Sequence, residues 1–224
     1  MPTPTSVLVR EIPLFPLPEV VLFPEADLPL HIYEARYKQM VKNLLKTDRQ
    51  FGVLLLDKPS GKAFSIGCTA EIRQTFYLPD GRINIQTQGL QRFKLLEITE
   101  HQPYLVGLVK WLTDDEPIAD LMHLQQQAHS LITDIVRLTN KLTNSLMPGC
   151  DSNSHIRLPA SLPNDPELFS YWVANNLFSD PYEKQSLLGL TNTKARLEQE
   201  INSLNLLSKE LVVRAAIEDA FKPK

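Results

Sequence analysis

The stretch Ile12–Val41, with the sequence IPLFPLPEVVLFPEADLPLHIYEARYKQMV, decides the fold of the first half of the chain. Each proline fixes its own φ angle and removes a backbone donor, so the proline-rich part cannot form a helix and must consist of short extended pieces joined by turns. Seven prolines lie in the first 29 residues: Pro2, Pro4, Pro13, Pro16, Pro18, Pro24 and Pro29. The many apolar residues between them predict strands that cross a compact β core.

The pattern changes at Glu34, where apolar residues begin to recur at spacings of three and four. They are Tyr37, Met40, Val41, Leu44 and Leu45, with Arg36, Lys38, Lys42 and Lys46 between them. This period predicts one short amphipathic helix. Four strand-like runs follow, Phe51–Asp57, Gly67–Leu78, Arg82–Ile98 and Tyr104–Leu112. Pro79-Asp80-Gly81 predicts a tight turn between the second and third runs, because Pro presets the first turn torsion and Gly accepts positive φ.

The second half is predicted to be helical. An a/d stripe sustained over about three heptads predicts one long helix that stops before Pro148-Gly149; its members are Leu121, Leu124, Ala128, Leu131, Ile135, Leu138 and Leu142. A polar linker over residues 150–165 follows, and Asp165-Pro166 is a good helix start. The buried face of that second helix is expected to comprise Leu168, Phe169, Trp172, Val173 and Leu177. A third helix is expected from about Thr193 to Phe221, with Leu197, Ile201, Leu204, Leu211 and Ala215 on one face.

These patterns predict an α+β fold with two parts. Residues 1–115 form a β-rich subdomain with one short helix, and residues 116–224 form a helical bundle. The a/d stripe has two interpretations, packing inside the bundle and self-association through the long helix, and the first is favoured.

Composition excludes several classes of protein. The 224 residues carry a net charge of −3 and a sequence pI near 6.0, which disfavours a protein that mainly holds nucleic acid. Cys68 and Cys150 are far apart in sequence, so neither a disulfide framework nor a cysteine zinc site is expected. The N-terminus lacks the apolar run of a signal peptide, and no run approaches the roughly 20 apolar residues of a membrane span. We therefore expect a soluble, cytoplasmic protein.

Motifs for catalysis and for cofactors are also missing. Gly61-Lys62 has Leu56 where a P-loop needs its first Gly and Ala63 where it needs Ser or Thr, and no GxGxxG occurs. His31 and Glu34 lie three residues apart but across a predicted strand-to-helix junction, and His123 and His129 are six apart on a helix, which puts them on different faces. No GxSxG elbow occurs. We therefore expect no enzyme activity, no cofactor and no metal.

The opening stretch resembles the N-terminal, substrate-binding domain of Lon proteases. That family shows a P-L-F-P-L run, then V-L-F-P, then P-L-x-I-[FY]-E-x-R-Y before an amphipathic helix. The matching positions are Pro13 to Leu17, Val21 to Pro24, Pro29, Leu30, Ile32 to Glu34, Arg36 and Tyr37. The match continues at Phe51-Gly52-Val53, Ile66-Gly67-Cys68, Ala70, Asp80-Gly81-Arg82, Gly89, Arg92-Phe93 and Pro103-Tyr104, and more weakly at Leu187-Leu188 and Arg196-Leu197.

The resemblance implies a pseudo-barrel of about six strands, similar to the RNA-binding PUA fold, followed by helices. It also implies a role beside an ATPase module and a Ser-Lys peptidase module, neither of which this chain carries, so no degradation by this chain alone is expected. Glu34 and Arg36 are interpreted as fixing the entry to the helix, because a guanidinium can bond a carboxylate there. Arg92 and Phe93 are likewise interpreted as structural.

The leading functional hypothesis is a non-catalytic module that binds exposed hydrophobic segments of polypeptides or a protein partner. Its candidate binding residues are Phe76, Tyr77, Tyr104 and Trp111, although aromatic residues are more often part of a core. The alternative is RNA binding through the barrel with Arg73, Arg82, Arg92 and Lys94. A hydrolase whose site assembles in space is a third hypothesis, and no motif supports it.

Overall fold

A computed structural model describes residues 9–115, 121–146, 156–159 and 161–221. The chain forms two compact units, one of Met1–Asp114 with Tyr171–Thr191 and one of Asp115–Ser170 with Asn192–Lys224. The sequence boundary of 1–115 and 116–224 did not place Tyr171–Thr191 with the strands. The physical reason is a contact distant in sequence, in which the side-chain amide of Gln185 donates to the carbonyl of Ile66 at 3.0 Å.

The first unit is a small β barrel. Its elements are β1 (Val9–Pro18), β2 (Asp27–Ile32), α1 (Ala35–Leu44), β3 (Gln50–Asp57), β4 (Lys62–Tyr77), β5 (Ile83–Glu100) and β6 (Leu105–Trp111). The strand order is β2-β5-β4-β3-β1-β6, and β5 also pairs with β6. Five strands therefore close into a ring, with β2 attached to β5 outside it. All pairs are antiparallel except β1 with β3. The predicted pseudo-barrel is confirmed.

Apolar residues fill the barrel as the sequence pattern predicts. One cluster contains Phe15, Phe51 and Val53, and α1 packs against it with Tyr37, Met40, Val41 and Leu44. The guanidinium of Arg36 contacts the Glu34 carboxylate at the start of α1, with Nε at 2.9 Å and a terminal nitrogen at 2.8 Å. This is the contact that the sequence predicted at the helix entry.

The turn at Pro79-Asp80-Gly81 is also confirmed. The N–H of Gly81 donates to the carbonyl of Leu78, and Gly81 has a φ of 80°. The hairpin that connects β4 and β5 is therefore tight, and it places Phe76 and Tyr77 at the end of β4.

The helices of the second half are α2 (Met122–Leu146), α3 (Pro166–Leu177), α4 (Pro181–Gly189) and α5 (Thr193–Phe221). In the second unit α2 packs on α5. The buried members of the predicted stripe are Leu121, Leu124, Ala128, Ile135 and Leu142. Their burial within this chain agrees with packing inside the bundle. Self-association through the long helix stays a prediction. Burial passes from Leu131 to Ile132 because a straight helix has 3.6 residues per turn and drifts from a 3.5-residue repeat.

The structure differs from the sequence-based expectation for two of the helices, and one expectation is not tested. α4 was not predicted, although Asp180-Pro181 repeats the signal of Asp165-Pro166 and the Asp180 carboxylate accepts the Glu183 N–H at 2.9 Å. On α3, Leu168 is 39% exposed and Tyr171 is buried in its place. The predicted stop at Pro148-Gly149 and most of the linker lie outside the described residues. No helix in the described ranges is long and apolar enough to cross a membrane.

Candidate functional site

Arg92 is an internal structural residue. Its side chain is 1% exposed and forms an ion pair with Asp114, whose side chain is 3% exposed. It also donates to the carbonyls of Leu188, at 2.7 Å, and Leu190, and its guanidinium lies 5.3 Å from the centre of the Tyr171 ring. The next residue, Phe93, is fully buried in the barrel. The structural interpretation of both residues is thus consistent with their burial.

The burial of Arg92 corrects its place among the candidate RNA contacts, because a buried guanidinium with these partners cannot reach a phosphate. The other candidates do not form a free cationic surface either. Arg73 pairs with Glu71 at 2.9 Å and Arg82 pairs with Asp80 at 2.6 Å. Lys94 is exposed in the second half of β5, whereas Arg82 lies just before the start of that strand.

The four aromatic candidates divide into two kinds. Phe76 and Tyr77 are 52% and 62% exposed at the end of β4. Tyr104 packs against the larger core cluster and Trp111 packs against the smaller one. Trp111 pairs with Phe93, whereas Tyr77 pairs with Ile83 at the opposite end of β5. The structure therefore brings Phe76 and Tyr77 together and leaves Trp111 elsewhere in the barrel.

A pocket of about 580 Å³ lies between α1 and the β4–β5 hairpin. We call it the α1 pocket, and its lining residues are Ala35, Lys38, Gln39, Lys42, Asn43, Lys46, Tyr77, Gly81 and Ile83. Tyr104 lies beside it, because the Asn43 amide donates to the Tyr104 hydroxyl at 3.1 Å. Two of the four aromatic candidates, Tyr77 and Tyr104, are therefore at or next to this pocket.

The α1 pocket has a cationic wall that was not recognised as a site from the sequence. Lys38 and Lys42 are spaced four residues apart on one face of α1, and Lys46 lies in the turn just after that helix. None of the nine lining residues is acidic, and within the described ranges none of the three lysines forms an ion pair. The i, i+4, i+8 spacing was the signal in the sequence that could have revealed this wall.

Other chemistry has little support in the described residues. They contain no group of three or more His, Cys, Asp or Glu side chains that could hold a metal ion. Cys68 is fully buried, and burial raises the pKa of its thiol far above the usual range, which disfavours the nucleophilic thiolate.

The family model of the ATP-dependent protease La (LON) substrate-binding domain matches residues 11–205. The chain therefore belongs to this family, as the resemblance in its opening stretch indicated.

Known relatives match nearly the whole chain. Lon protease of Amoebophilus asiaticus is 29% identical over 182 residues, which cover 79% of this chain and 21% of the relative. Lon protease of Parabacteroides distasonis is 29% identical over 218 residues, which cover 92% of this chain and 25% of the relative. The chain thus spans about a quarter of the length of the curated relatives it matches.

Solved structures share the fold. A Lon N-terminal domain protein from Xanthomonas campestris superposes with a TM-score of 0.61 at 24% identity, covering 85% of this chain and 96% of that one. The N-terminal domain of a Mycobacterium avium complex Lon protease gives a TM-score of 0.63 at 14% identity, covering 88% and 98%.

Proposed function

We propose that this protein is a recognition module that binds exposed apolar segments of protein substrates and does not itself cleave them. The observation that carries the proposal is the match to a substrate-binding family over residues 11–205. The match extends over only about a quarter of the proteases concerned, so the proposal assigns no peptide-bond cleavage to this chain.

An exposed aromatic surface supports a site for such segments. Tyr33, Phe76 and Tyr77 are 64%, 52% and 62% exposed, and we call them the aromatic rim. The three residues lie at the same end of neighbouring strands, because Tyr77 pairs with Ile83, Ile83 pairs with Ile32, and Tyr33 follows Ile32. Successive residues of a strand face opposite sides of a sheet, so Phe76 and Tyr77 lie on the two faces of that end. Neighbouring strands lie about 4.8 Å apart, so Tyr33 and Tyr77 are about two strand spacings apart. Exposed apolar groups that cluster in this way are typical of interaction surfaces.

The rim offers large contact areas on a rigid support. Phe76 and Tyr77 lie in the part of β4 that pairs with β5, opposite Asn84 and Ile83. Aromatic side chains lose little conformational freedom on binding, and their rings bury a large apolar area. An extended segment with apolar side chains can therefore bind at the rim with a small loss of entropy.

The test measures binding to a permanently unfolded polypeptide, such as a reduced and carboxymethylated protein carrying a fluorophore. The variant Phe76→Ser/Tyr77→Ser is compared with Leu206→Ser/Val213→Ser, which removes two exposed apolar side chains from α5. Losing about 1–2 kcal/mol per aromatic contact predicts binding at least about tenfold weaker in the rim variant. The α5 variant is expected to bind like the unaltered protein.

Three results would count against the proposal. They are no saturable binding by the unaltered protein, an equal loss in both variants, and binding that disappears with moderate salt while single-stranded RNA binds well. The last result would favour the alternative hypothesis, because counterion release makes nucleic-acid binding strongly salt-dependent.

A further inference from the structure

We propose that the α1 pocket binds acidic side chains of the polypeptide segment held at the aromatic rim. The inference rests on the proposed function and specifies the segment, which carries Asp or Glu next to aromatic or aliphatic residues. Tyr77 belongs to both surfaces, since it lines the pocket and forms part of the rim.

The first argument is the charge of the pocket wall. Lys38 and Lys42 repel each other on α1, since like charges at i, i+4 destabilise a helix, and Lys46 adds a third positive charge in the turn just after it. No acidic residue in the lining offsets this repulsion. The whole chain has a net charge of −3, so the wall is a local cationic region on an acidic protein.

The second argument is that the pocket lysines have no ion pair, in contrast to the cations named next. Lys62, Lys94 and Lys110 also form no ion pair among the described residues, but they do not line the pocket. Arg10 pairs with Asp48, Arg36 pairs with Glu34, and Lys58 pairs with Glu19. Arg73 and Arg82 also have carboxylate partners, Glu71 and Asp80. The three pocket lysines have no such partner among the described residues, so their ammonium groups are available to an external carboxylate.

The third argument identifies a peptide as the ligand. Gln39 and Asn43 each follow a pocket lysine, so two amides run beside the lysine row. Side-chain amides both donate and accept, which suits the N–H and C=O groups of a peptide backbone. On α1, Lys38 and Lys42 are about 6 Å apart along the axis at 1.5 Å per residue, about the length of two extended residues, and Lys46 lies just beyond them.

The same features disfavour nucleic acid. The lining contains no arginine, the residue best suited to bidentate phosphate binding. A nucleic-acid interface needs a series of phosphate contacts, whereas this wall has three lysines and lies on a chain with an excess of acidic residues.

The test uses the purified protein and two labelled peptides of equal length. One has aromatic and leucine residues followed by four Asp or Glu residues, and the other has Asn or Gln in those four places. The protein variant is Lys38→Gln/Lys42→Gln/Lys46→Gln. The matched control is Lys62→Gln/Lys94→Gln/Lys110→Gln, which changes the net charge by the same amount at three other exposed lysines of this unit.

We expect the unaltered protein and the control variant to bind the acidic peptide at least tenfold more tightly than the neutral one at low salt. The pocket variant should bind both peptides equally, with its affinity for the neutral peptide unchanged. This result would support the pocket and leave the proposed function intact.

Other outcomes overturn the inference in distinguishable ways. If the unaltered protein binds both peptides equally well, the inference fails and the proposed function stands. If neither peptide binds, the inference and the proposed function both fail. If the control variant loses the preference for the acidic peptide as fully as the pocket variant does, that preference comes from the overall charge of the protein and not from the pocket. A single-stranded oligonucleotide that displaces the labelled acidic peptide at a lower concentration than the unlabelled peptide does would show that the pocket lysines prefer nucleic acid.

Discussion

The buried ion pair of Arg92 and Asp114 predicts a large loss of stability in Arg92→Met. Both side chains are almost fully buried, and Arg92 also satisfies the carbonyls of Leu188 and Leu190. Removing one member of a buried pair costs about 3–5 kcal/mol, because the charge that remains has lost its counterion. Since domains are stable by only about 5–15 kcal/mol, this is a large share of the total.

The assay is thermal and urea unfolding followed by circular dichroism. A loss of about 3–5 kcal/mol lowers the melting temperature by roughly 10 °C in a domain of this size. The double variant Arg92→Met/Asp114→Leu is the informative control, because it removes the buried carboxylate together with the guanidinium. We expect it to be more stable than Arg92→Met alone. The reasoning would be refuted if Arg92→Met lost less than about 1 kcal/mol, or if the double variant lost the sum of the two single changes.

Three further predictions concern buried groups. Burial raises the pKa of Glu200 well above its ordinary value of 4.5, with Arg196 opposing the shift, and neither carboxylate oxygen has a hydrogen-bond partner among the described residues. Because the folded state then holds the proton more tightly, stability should fall as pH rises from about 4.5 towards the raised pKa; Glu200→Gln should remove this dependence and be the more stable form at pH 7.5 in melting experiments. A Cβ at Gly89 would lie 2.0 Å from the Phe23 carbonyl oxygen, so Gly89→Ala should lower the melting temperature strongly, whereas Gly189→Ala, whose nearest neighbour would be Ile66 at 3.6 Å, should change it little. The Cys68 thiol should resist alkylation in the native protein and react once urea unfolds the barrel, as peptide mapping by mass spectrometry can show; rapid native labelling would contradict its burial.

Much of the barrel was predictable because its signals are local. The prolines before residue 30 exclude a helix, and the hairpin follows from Pro79-Asp80-Gly81. α4 carries a clear start signal at Asp180-Pro181, but its buried residues, Gln185, Leu187 and Leu188, do not follow a helical period. Its burial is set by β4, more than 100 residues earlier in the chain, and that contact leaves no local pattern.

The candidate site was only partly predictable for the same physical reason. Phe76 and Tyr77 were chosen from residue type, and nothing in the sequence distinguished them from Trp111, which is partly buried against the smaller core cluster. Arg92 was interpreted both as structural and as a possible RNA contact. Its carbonyl partners lie 96 and 98 residues away, so only the folded chain shows that it is enclosed.

The register of the sheet explains why the aromatic rim and the lysine wall lie side by side. Ile32, the last residue of β2, pairs with Ile83, and Ile83 pairs with Tyr77. α1 begins three residues after Ile32. The pairing of Ile32, Ile83 and Tyr77 therefore fixes the position of the first pocket lysine relative to the end of β4. A slip of one residue would turn Tyr77 to the other face, and such a slip would also expose Ile32 and Ile83, which are buried. The hydrophobic core therefore holds both surfaces in place before any ligand arrives, which lowers the entropic cost of binding.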